Sequence, residues 1–203
     1  MAPKTDFQDR YQSGNTPWEL GRPDKDLIEL VQNRPVPASR ALEIGCGTGH
    51  NSIWLAKMGF ATVGIDMSSL AIEQARKNAE HAAVQVRFEC MDFIKDALDE
   101  NPFGFAFDRG CFHTMDSDLD RALFATRLAE KLDANGLWLS IIGNDDAPPR
   151  KEGPPRRTAE QIVRAVEPVF EIQVLRASTF DSNRKEPAKS WQCLMKKRTL
   201  AGD

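Results

Sequence analysis

Three glycines between a predicted strand and a predicted helix are the residues of this chain best suited to bind a ligand. Gly45, Gly47 and Gly49 follow the apolar stretch that ends at Ile44. Glycines in such a turn let the backbone approach a ligand without a Cβ in the way. The N–H groups of the following helix point at the same place. A second apolar stretch ends in Asp66, whose carboxylate is placed to accept hydrogen bonds from ribose hydroxyls. This arrangement predicts a pocket for an adenosine-containing cofactor.

The spacing of the glycines distinguishes between two kinds of cofactor. The dinucleotide-binding fingerprint is G-x-G-x-x-G, but here the third glycine comes one position earlier and His50 stands at the dinucleotide position. The pattern Glu43-x-Gly45-x-Gly47-x-Gly49 resembles motif I of the class I S-adenosylmethionine-dependent methyltransferases. This resemblance implies that the loop holds the methionine part of S-adenosyl-L-methionine and that S-adenosyl-L-homocysteine is the product. It also implies that Glu43 lies near the ammonium group, directly or through water.

The resemblance also assigns residues to the ends of the next two strands. It implies an acid near the adenine amino group and an apolar residue against the ring after strand three, and methionine contacts after strand four. The block Phe107-Asp-Arg-Gly-Cys-Phe-His-Thr114 resembles a small-molecule subgroup that includes thiopurine, thiol or thiocyanate, and tellurite methyltransferases. The cofactor-binding residues expected on this basis are Trp18, Glu43, Gly45, Cys46, Gly47, Gly49, Asn51, Asp66, Met67, Met91, Asp92, Phe93, Asp108, Arg109 and Gly110.

The N-terminal segment is consistent with the same subgroup. The stretch from Tyr11 to Pro23 looks like the segment that covers the cofactor in these enzymes. Trp18 would then keep water away from the reactive sulfonium. The alternative is that Tyr11 and Trp18 only fix the N-terminal helix to the sheet. Contacts with the methyl acceptor are expected from Tyr11, Trp18 and Asn144.

Methyl transfer needs an acceptor lone pair held in line with the S–CH₃ bond, which is mainly a matter of positioning. A general base is required only if the acceptor carries a proton. His113 is the candidate catalytic base because imidazole titrates near neutral pH. The alternative is that His113 stands at a helix start and helps to fix the cofactor loop. Asp108 and Arg109 bind the cofactor or each other, and an internal ion pair is an equal alternative for Arg109.

Composition excludes several classes of partner. The net charge of −3 over 203 residues provides no basic field for duplex nucleic acid. The Asp/Asn-Pro-Pro-aromatic tetrad of nucleic-acid amine methyltransferases is absent after strand four. No apolar run approaches the roughly 20 residues that span a bilayer, and no secretory signal is visible. Four scattered cysteines without a C-x-x-C pair favour a reduced cytoplasmic protein without a metal site. Oligomeric state cannot be inferred.

Alternating strand and helix patterns predict β-α-β units with right-handed crossovers. We expect a single α/β domain with a Rossmann-like, doubly wound, mostly parallel seven-stranded sheet and one antiparallel strand near the C-terminus. Residues 1–37 form the N-terminal cap segment and helix, 38–144 the cofactor-binding half, and 145–203 the substrate-side loop, helix and hairpin. Asn135-Gly136 is a plausible C-cap for a helix over 118–132. The proline-rich loop after strand five is basic, so it either attracts an anionic acceptor or is simply solvated.

The leading hypothesis is an S-adenosylmethionine-dependent methyltransferase acting on a small molecule, through a thiol or another soft nucleophile. A nicotinamide-dependent oxidoreductase is one alternative, which tight binding of NAD would favour. The other is a methyltransferase homologue that keeps the cofactor but acts as a sensor or partner subunit without turnover.

Overall fold

The computed structural model of the protein describes residues 7–33, 36–99, 102–146, 155–183 and 185–199. The helices are α1 (Phe7–Gln12), α2 (Lys25–Asn33), α3 (His50–Lys57), α4 (Ser69–His81), α5 (Asp118–Lys131) and α6 (Ala159–Val166). The strands are β1 (Arg40–Ile44), β2 (Ala61–Asp66), β3 (Arg87–Cys90), β4 (Phe103–Arg109), β5 (Leu132–Gly143), β6 (Phe170–Thr179) and β7 (Lys189–Lys197). A turn of 3-10 helix, Phe112–Thr114, follows β4.

The seven strands form one sheet in the order β3-β2-β1-β4-β5-β7-β6. Strands β1 to β5 pair in parallel, and β7 pairs antiparallel with both β5 and β6. The predicted seven-stranded sheet with one antiparallel strand is therefore confirmed. The strand order reverses between β1 and β4, and in open α/β sheets ligands bind beyond the carboxyl ends of the strands at such a switch point.

Apolar clusters cover the sheet on both faces, as the continuous apolar runs of its central strands require. In β1, Ala41 belongs to one cluster while Leu42 and Ile44 belong to the other, because successive side chains of a strand point to opposite faces. The larger cluster contains Trp138, whose ring stacks on Phe124 with the centroids 5.7 Å apart. The strand tips are thus held by a rigid two-sided core.

Side-chain caps fix where three of the helices begin. Ser68 accepts a hydrogen bond from the backbone N–H of Ala71 at the start of α4, and Ser117 does the same for Asp120 at the start of α5. Thr158 opens α6 with a complete capping box.

The end of α5 differs from the prediction. The helix ends at Lys131, and Leu132 already adopts an extended conformation (φ −92°, ψ 148°) as the first residue of β5. Leu132 is 2% exposed and pairs with Phe103, so burial of its side chain ends the helix before Asn135 is reached. Gly136 lies within β5 rather than at a helix C-cap.

The predicted basic loop falls largely on residues 147–154, including Arg150 and Lys151, which lie outside the described residues. The same is true of residues 1–6 of the predicted cap. Among the residues that the structure describes, no helix is both long and apolar enough to cross a bilayer.

Candidate functional site

The loop after β1 adopts a backbone that only glycine takes up readily. Gly45, Gly47 and Gly49 have φ values of +71°, +53° and +83°. Gly45 and Cys46 both donate their N–H groups to the carbonyl of Ile65, at 2.8 and 2.9 Å. The loop is therefore fastened to β2, and the predicted strand–glycine loop–helix unit is present.

Asp66 at the end of β2 lies directly beside this loop. Its Oδ2 accepts a hydrogen bond from the N–H of Gly47 and its Oδ1 from the N–H of Ser68, both at 2.9 Å. Burial raises the pKa of Asp66, and these two hydrogen bonds oppose that shift. A carboxylate has about four acceptor positions, so Asp66 retains capacity for ribose hydroxyls.

Glu43 is a buried acid whose hydrogen bonds come from α3. Its carboxylate accepts from Asn51 Nδ2 at 2.8 Å and from the hydroxyl of Ser52. Burial raises the pKa of Glu43 to about 8, although both hydrogen bonds act in the opposite direction. Asn51 in turn accepts from the N–H of Asp24 at 2.8 Å. Glu43 is therefore linked through Asn51 to the start of α2.

Glu19 also reaches the glycine loop, and the sequence analysis did not single it out. Its Oε1 accepts from the hydroxyl of Tyr11 at 2.6 Å and from the N–H of Thr48 at 3.2 Å. Its Oε2 accepts from the hydroxyl of Thr48. A Cβ on Gly47 would lie 2.4 Å from Glu19 Oε1. The only local signal in the sequence was an acid directly after the cap tryptophan.

The contacts of Trp18 agree with one of the two roles that the sequence left open, fixing the N-terminal segment, and its covering of the cofactor stays a prediction. Its indole N–H donates to the Tyr11 hydroxyl at 3.1 Å, and its ring meets the rings of Phe7 and Tyr11 edge to face. The guanidinium of Arg10 lies 4.6 Å from the ring centroid. Trp18 thus organises the N-terminal segment, while its carbonyl accepts a hydrogen bond from Arg109 at the end of β4.

The tip of β3 adjoins the tip of β2, because Met91 donates its N–H to the carbonyl of Asp66 at 2.9 Å. Met91 and Phe93 are buried, and the Phe93 ring lies 4.9 Å from that of Phe124. Asp92 accepts hydrogen bonds from the N–H of Ile94 and from Lys95 Nζ. Met67, which follows Asp66, is 55% exposed.

Asp108 points into the protein rather than toward a ligand. Its Oδ1 accepts from the N–H groups of Cys111 and Phe112 at 3.0 and 2.9 Å, and its Oδ2 from Trp138 Nε1 at 2.9 Å. The side chain is fully buried, and burial raises its pKa. The carboxylate therefore shapes the turn after β4, in which Gly110 has φ of +84°. The partners of the Asp108 side chain in this structure lie inside the protein, and its contact with the cofactor stays a prediction.

Arg109 joins three segments of the chain. Its Nε forms an ion pair with Asp24 Oδ2 at 2.7 Å, its Nη1 donates to the carbonyl of Trp18 and its Nη2 to the carbonyl of Asp181. Its side chain is 11% exposed and that of Asp24 is fully buried. Of the alternatives that the sequence left open, the internal ion pair is the one observed.

His113 is buried at the carboxyl ends of β4 and β5. Its Nδ1 accepts a hydrogen bond from the N–H of Gly143 at 2.8 Å, and its ring packs against Gly110. Burial and the positive charges of Arg157 and Arg109 lower its pKa to about 3. This environment suits a residue that fixes the loop better than a general base, which needs a pKa near the working pH.

Asn144 directly follows β5 and is buried. Its side-chain oxygen accepts from the N–H of Asp146 at 2.7 Å, and its own N–H donates to the carbonyl of Lys189. It borders an open cleft of about 450 Å³ between the ends of β5 and β6. The other lining residues are Asp146, Ala177, Ser178, Thr179 and Lys189.

The site as a whole fits a cationic adenosine cofactor. Glu19, Glu43 and Asp66 surround the glycine loop, and all three raise the pKa of the Cys46 thiol, which burial raises most. None of these carboxylates forms an ion pair with a basic side chain in the described ranges. Carboxyl groups without a basic partner favour a positively charged ligand, and such a ligand lowers the raised pKa of Glu43. Asp66 keeps acceptor positions for further hydrogen bonds, and the apolar Met91 lies beside it.

Comparison with protein families and curated sequences gives one consistent result. A family model described as thiopurine S-methyltransferase (TPMT) matches residues 2–200. A probable thiol methyltransferase 2 of Arabidopsis thaliana is 30% identical over 151 residues, covering 73% of this chain and 65% of that protein. Thiocyanate methyltransferase 1 of Brassica oleracea is 31% identical over 149 residues, covering 70% of this chain and 64% of that protein. The matches thus span slightly less than two thirds of these relatives.

Solved structures share the fold at lower identity. A structure described as "Conversion of a Disulfide Bond into a Thioacetal Group during Echinomycin Biosynthesis" has a TM-score of 0.84 and 21% identity, covering 98% of this chain and 93% of the other. Magnesium protoporphyrin IX methyltransferase (ChlM) from Synechocystis PCC 6803 with bound SAM has a TM-score of 0.71 and 17% identity, covering 98% of both chains. These likenesses show the fold alone.

Proposed function

We propose that this chain, which belongs to the thiopurine S-methyltransferase family of S-adenosylmethionine-dependent methyltransferases, transfers the cofactor's methyl group to a small soft nucleophile. A thiol is the acceptor we favour. The observation that carries the proposal is the set of three carboxylates, Glu19, Glu43 and Asp66, arranged around a glycine loop without a cationic partner among the described residues. The bound sulfonium supplies an electrophilic methyl group, and the chain's residues bind, orient and shield it.

On the donor side, Asp66 is proposed to accept hydrogen bonds from the ribose hydroxyls. The glycine loop keeps its N–H groups and backbone close to the ligand because no side chain intervenes. Trp18 and its neighbours Phe7 and Tyr11 are proposed to cover the site. Exclusion of water strengthens the electrostatic interactions inside such a site.

On the acceptor side, the nearby basic side chains are paired with acids. The guanidinium groups of Arg157 and Arg109 lower the pKa of His113, while Arg109 forms an ion pair with Asp24 and Arg157 lies 3.6 Å from Asp116. A thiol has an ordinary pKa of about 8.5, so a fraction of it is thiolate at neutral pH and needs no protein base. This agrees with a His113 that is unsuited to proton abstraction.

The test is a binding experiment followed by a turnover experiment. Titration calorimetry with S-adenosyl-L-methionine and S-adenosyl-L-homocysteine measures cofactor binding, and NAD serves as the comparison ligand. The protein is then incubated with the donor and a panel of alkyl thiols, aryl thiols, thiocyanate and halides. We expect S-adenosyl-L-homocysteine and the methylated acceptor to form in equal amounts.

Three results would contradict the proposal in different ways. Binding of NAD without binding of S-adenosyl-L-methionine would indicate an oxidoreductase. Cofactor binding without turnover across the whole panel would favour the sensor or partner-subunit alternative. Turnover confined to thiocyanate or halides would keep the methyltransferase but remove the thiol.

A further inference from the structure

We propose that Glu19 is a positioning residue of the cofactor site, and that its carboxylate holds the cap segment, defined here as residues 7–22, against the glycine loop. This inference rests on the function proposed above. It concerns a side chain of the N-terminal segment that does not belong to the glycine motif or to the ends of the strands.

The cap segment is held by polar contacts together with partly buried side chains such as Tyr11 and Trp18. None of residues 7–22 is fully buried. Segments with few buried apolar contacts open at low free-energy cost, so each polar link weighs heavily on whether they stay closed. Links outside Glu19 include those from Gln8 to Ser68 and Ser69, from Arg22 to Asp181, and from Arg109 to the carbonyl of Trp18.

Glu19 forms the link that reaches the glycine loop itself. One carboxylate joins the Tyr11 hydroxyl on the cap side to the N–H and hydroxyl of Thr48 on the loop side. Hydrogen bonds to a charged acceptor are about twice as strong as neutral ones. The missing side chain at Gly47 leaves the room that the Glu19 carboxylate and the Tyr11 hydroxyl occupy. Loss of Glu19 therefore separates the cap from the loop.

The charge of Glu19 has a second consequence. Glu19 shares the loop with Glu43 and Asp66, and its charge raises the pKa of both. The methyl donor carries one more positive charge than its demethylated product. Removing one carboxylate charge from this region should therefore weaken binding of the donor more than binding of the product. A residue that only braced the fold would affect both ligands equally.

The experiment compares Glu19→Gln and Thr48→Val with the wild type and with Glu130→Gln. Glu130 is exposed on α5, so its substitution removes the same charge away from the site. The glutamine amide removes the charge and leaves one acceptor oxygen instead of two, whereas the Thr48 variant removes one loop-side donor without changing charge. Calorimetry gives the dissociation constants of S-adenosyl-L-methionine and S-adenosyl-L-homocysteine. Amide hydrogen exchange of the cofactor-free proteins measures how readily the cap segment opens.

We expect Glu19→Gln to weaken binding of the donor about tenfold and binding of the product about threefold. The same variant should speed amide exchange in peptides covering residues 7–22. We expect Thr48→Val to speed the same exchange while leaving the donor-to-product ratio near that of the wild type. Glu130→Gln should match the wild type in every measurement. These results together would support the inference.

Two results would overturn it. Unchanged exchange in the Glu19 variant would show that its carboxylate does not hold the cap. Equal weakening of the binding of both ligands would show that Glu19 only stabilises the fold. A wild-type protein that bound neither ligand would instead refute the proposed function, and the exchange measurement would still decide whether Glu19 holds the cap.

Discussion

The N–H of Gly143 donates a hydrogen bond to Nδ1 of His113 across 2.8 Å, so the main chain occupies one ring nitrogen of this buried histidine. A neutral imidazole has a single acceptor nitrogen. With Nδ1 as that acceptor, Nε2 carries the proton and has no lone pair to offer a substrate. The histidine that the sequence singled out as a candidate base thus serves to join β4 and β5.

We predict that His113→Gln lowers the free energy of unfolding but changes the catalytic rate little. Loss of the buried hydrogen bond should cost about 1–3 kcal/mol in urea unfolding at pH 7. The pKa of about 3 means that the unfolded chain takes up a proton before the folded one does. Stability should therefore be fully present above pH ~6.5 and decline as pH falls toward 3, less steeply in the variant. If His113 were instead a catalytic base, the rate of the wild type would change with pH near 6–7 and the variant would lose that dependence.

Asp66→Ala should weaken cofactor binding by about 1–3 kcal/mol through lost hydrogen bonds to a carboxylate. Calorimetry with the cofactor and with an analogue lacking the ribose hydroxyls measures the effect. The wild type should prefer the natural cofactor, and the variant should bind the two alike. The exposed Asp99→Ala provides the control for loss of one charge. Unchanged affinity in the Asp66 variant would remove its assignment as the ribose partner.

Binding of the cofactor should release a proton from Glu43 near pH 7. Burial raises the pKa of Glu43 to about 8, so most molecules hold this carboxyl protonated before a ligand arrives. A cation nearby lowers that pKa, and affinity should rise between pH 6 and 8. Calorimetry in two buffers of different ionisation enthalpy counts the protons. If the Glu43→Gln variant releases the same number of protons on binding the cofactor, the proton comes from another group.

The ion pair between Arg109 and Asp24 should show strong coupling. Removing one partner of a buried pair leaves the other charge unpaired and costs about 3–5 kcal/mol. Arg109→Met and Asp24→Asn should each be destabilised in denaturant unfolding, and the double variant should be less destabilised than the two single effects added together. Additive effects would mean that the two charges do not interact.

The fold and the glycine loop were predictable because their signals are local. The run from Ala41 to Gly49 shows an apolar strand, a glycine turn and a helix start within a few residues, and the same is true of the strand that ends at Asp66. The hydrophobic periodicity of a segment and the residues of its turns can be identified without knowing which distant residues it contacts. The mistaken C-cap at Asn135-Gly136 is the exception, because burial of Leu132 in the sheet outweighed a local turn signal.

The side-chain network around the site could not be predicted in the same way. The partners Glu19 and Thr48 are distant in sequence, as are Asp24 and Arg109. Spacing along the chain contains no information about which of several acids meets a given donor. The same limit explains Asp108, whose position after β4 suggested a ligand contact while its rotamer serves Cys111, Phe112 and Trp138.

Arg109 holds Trp18 and Asp181 by their carbonyl oxygens, which every amino acid supplies. The side chains at positions 18 and 181 can therefore change in evolution without loss of the carbonyl oxygens that the guanidinium binds. Such an exchange would still remove the ring contacts of Trp18 and the ion pair of Asp181 with Arg22, so the arginine preserves only part of the attachment through evolution.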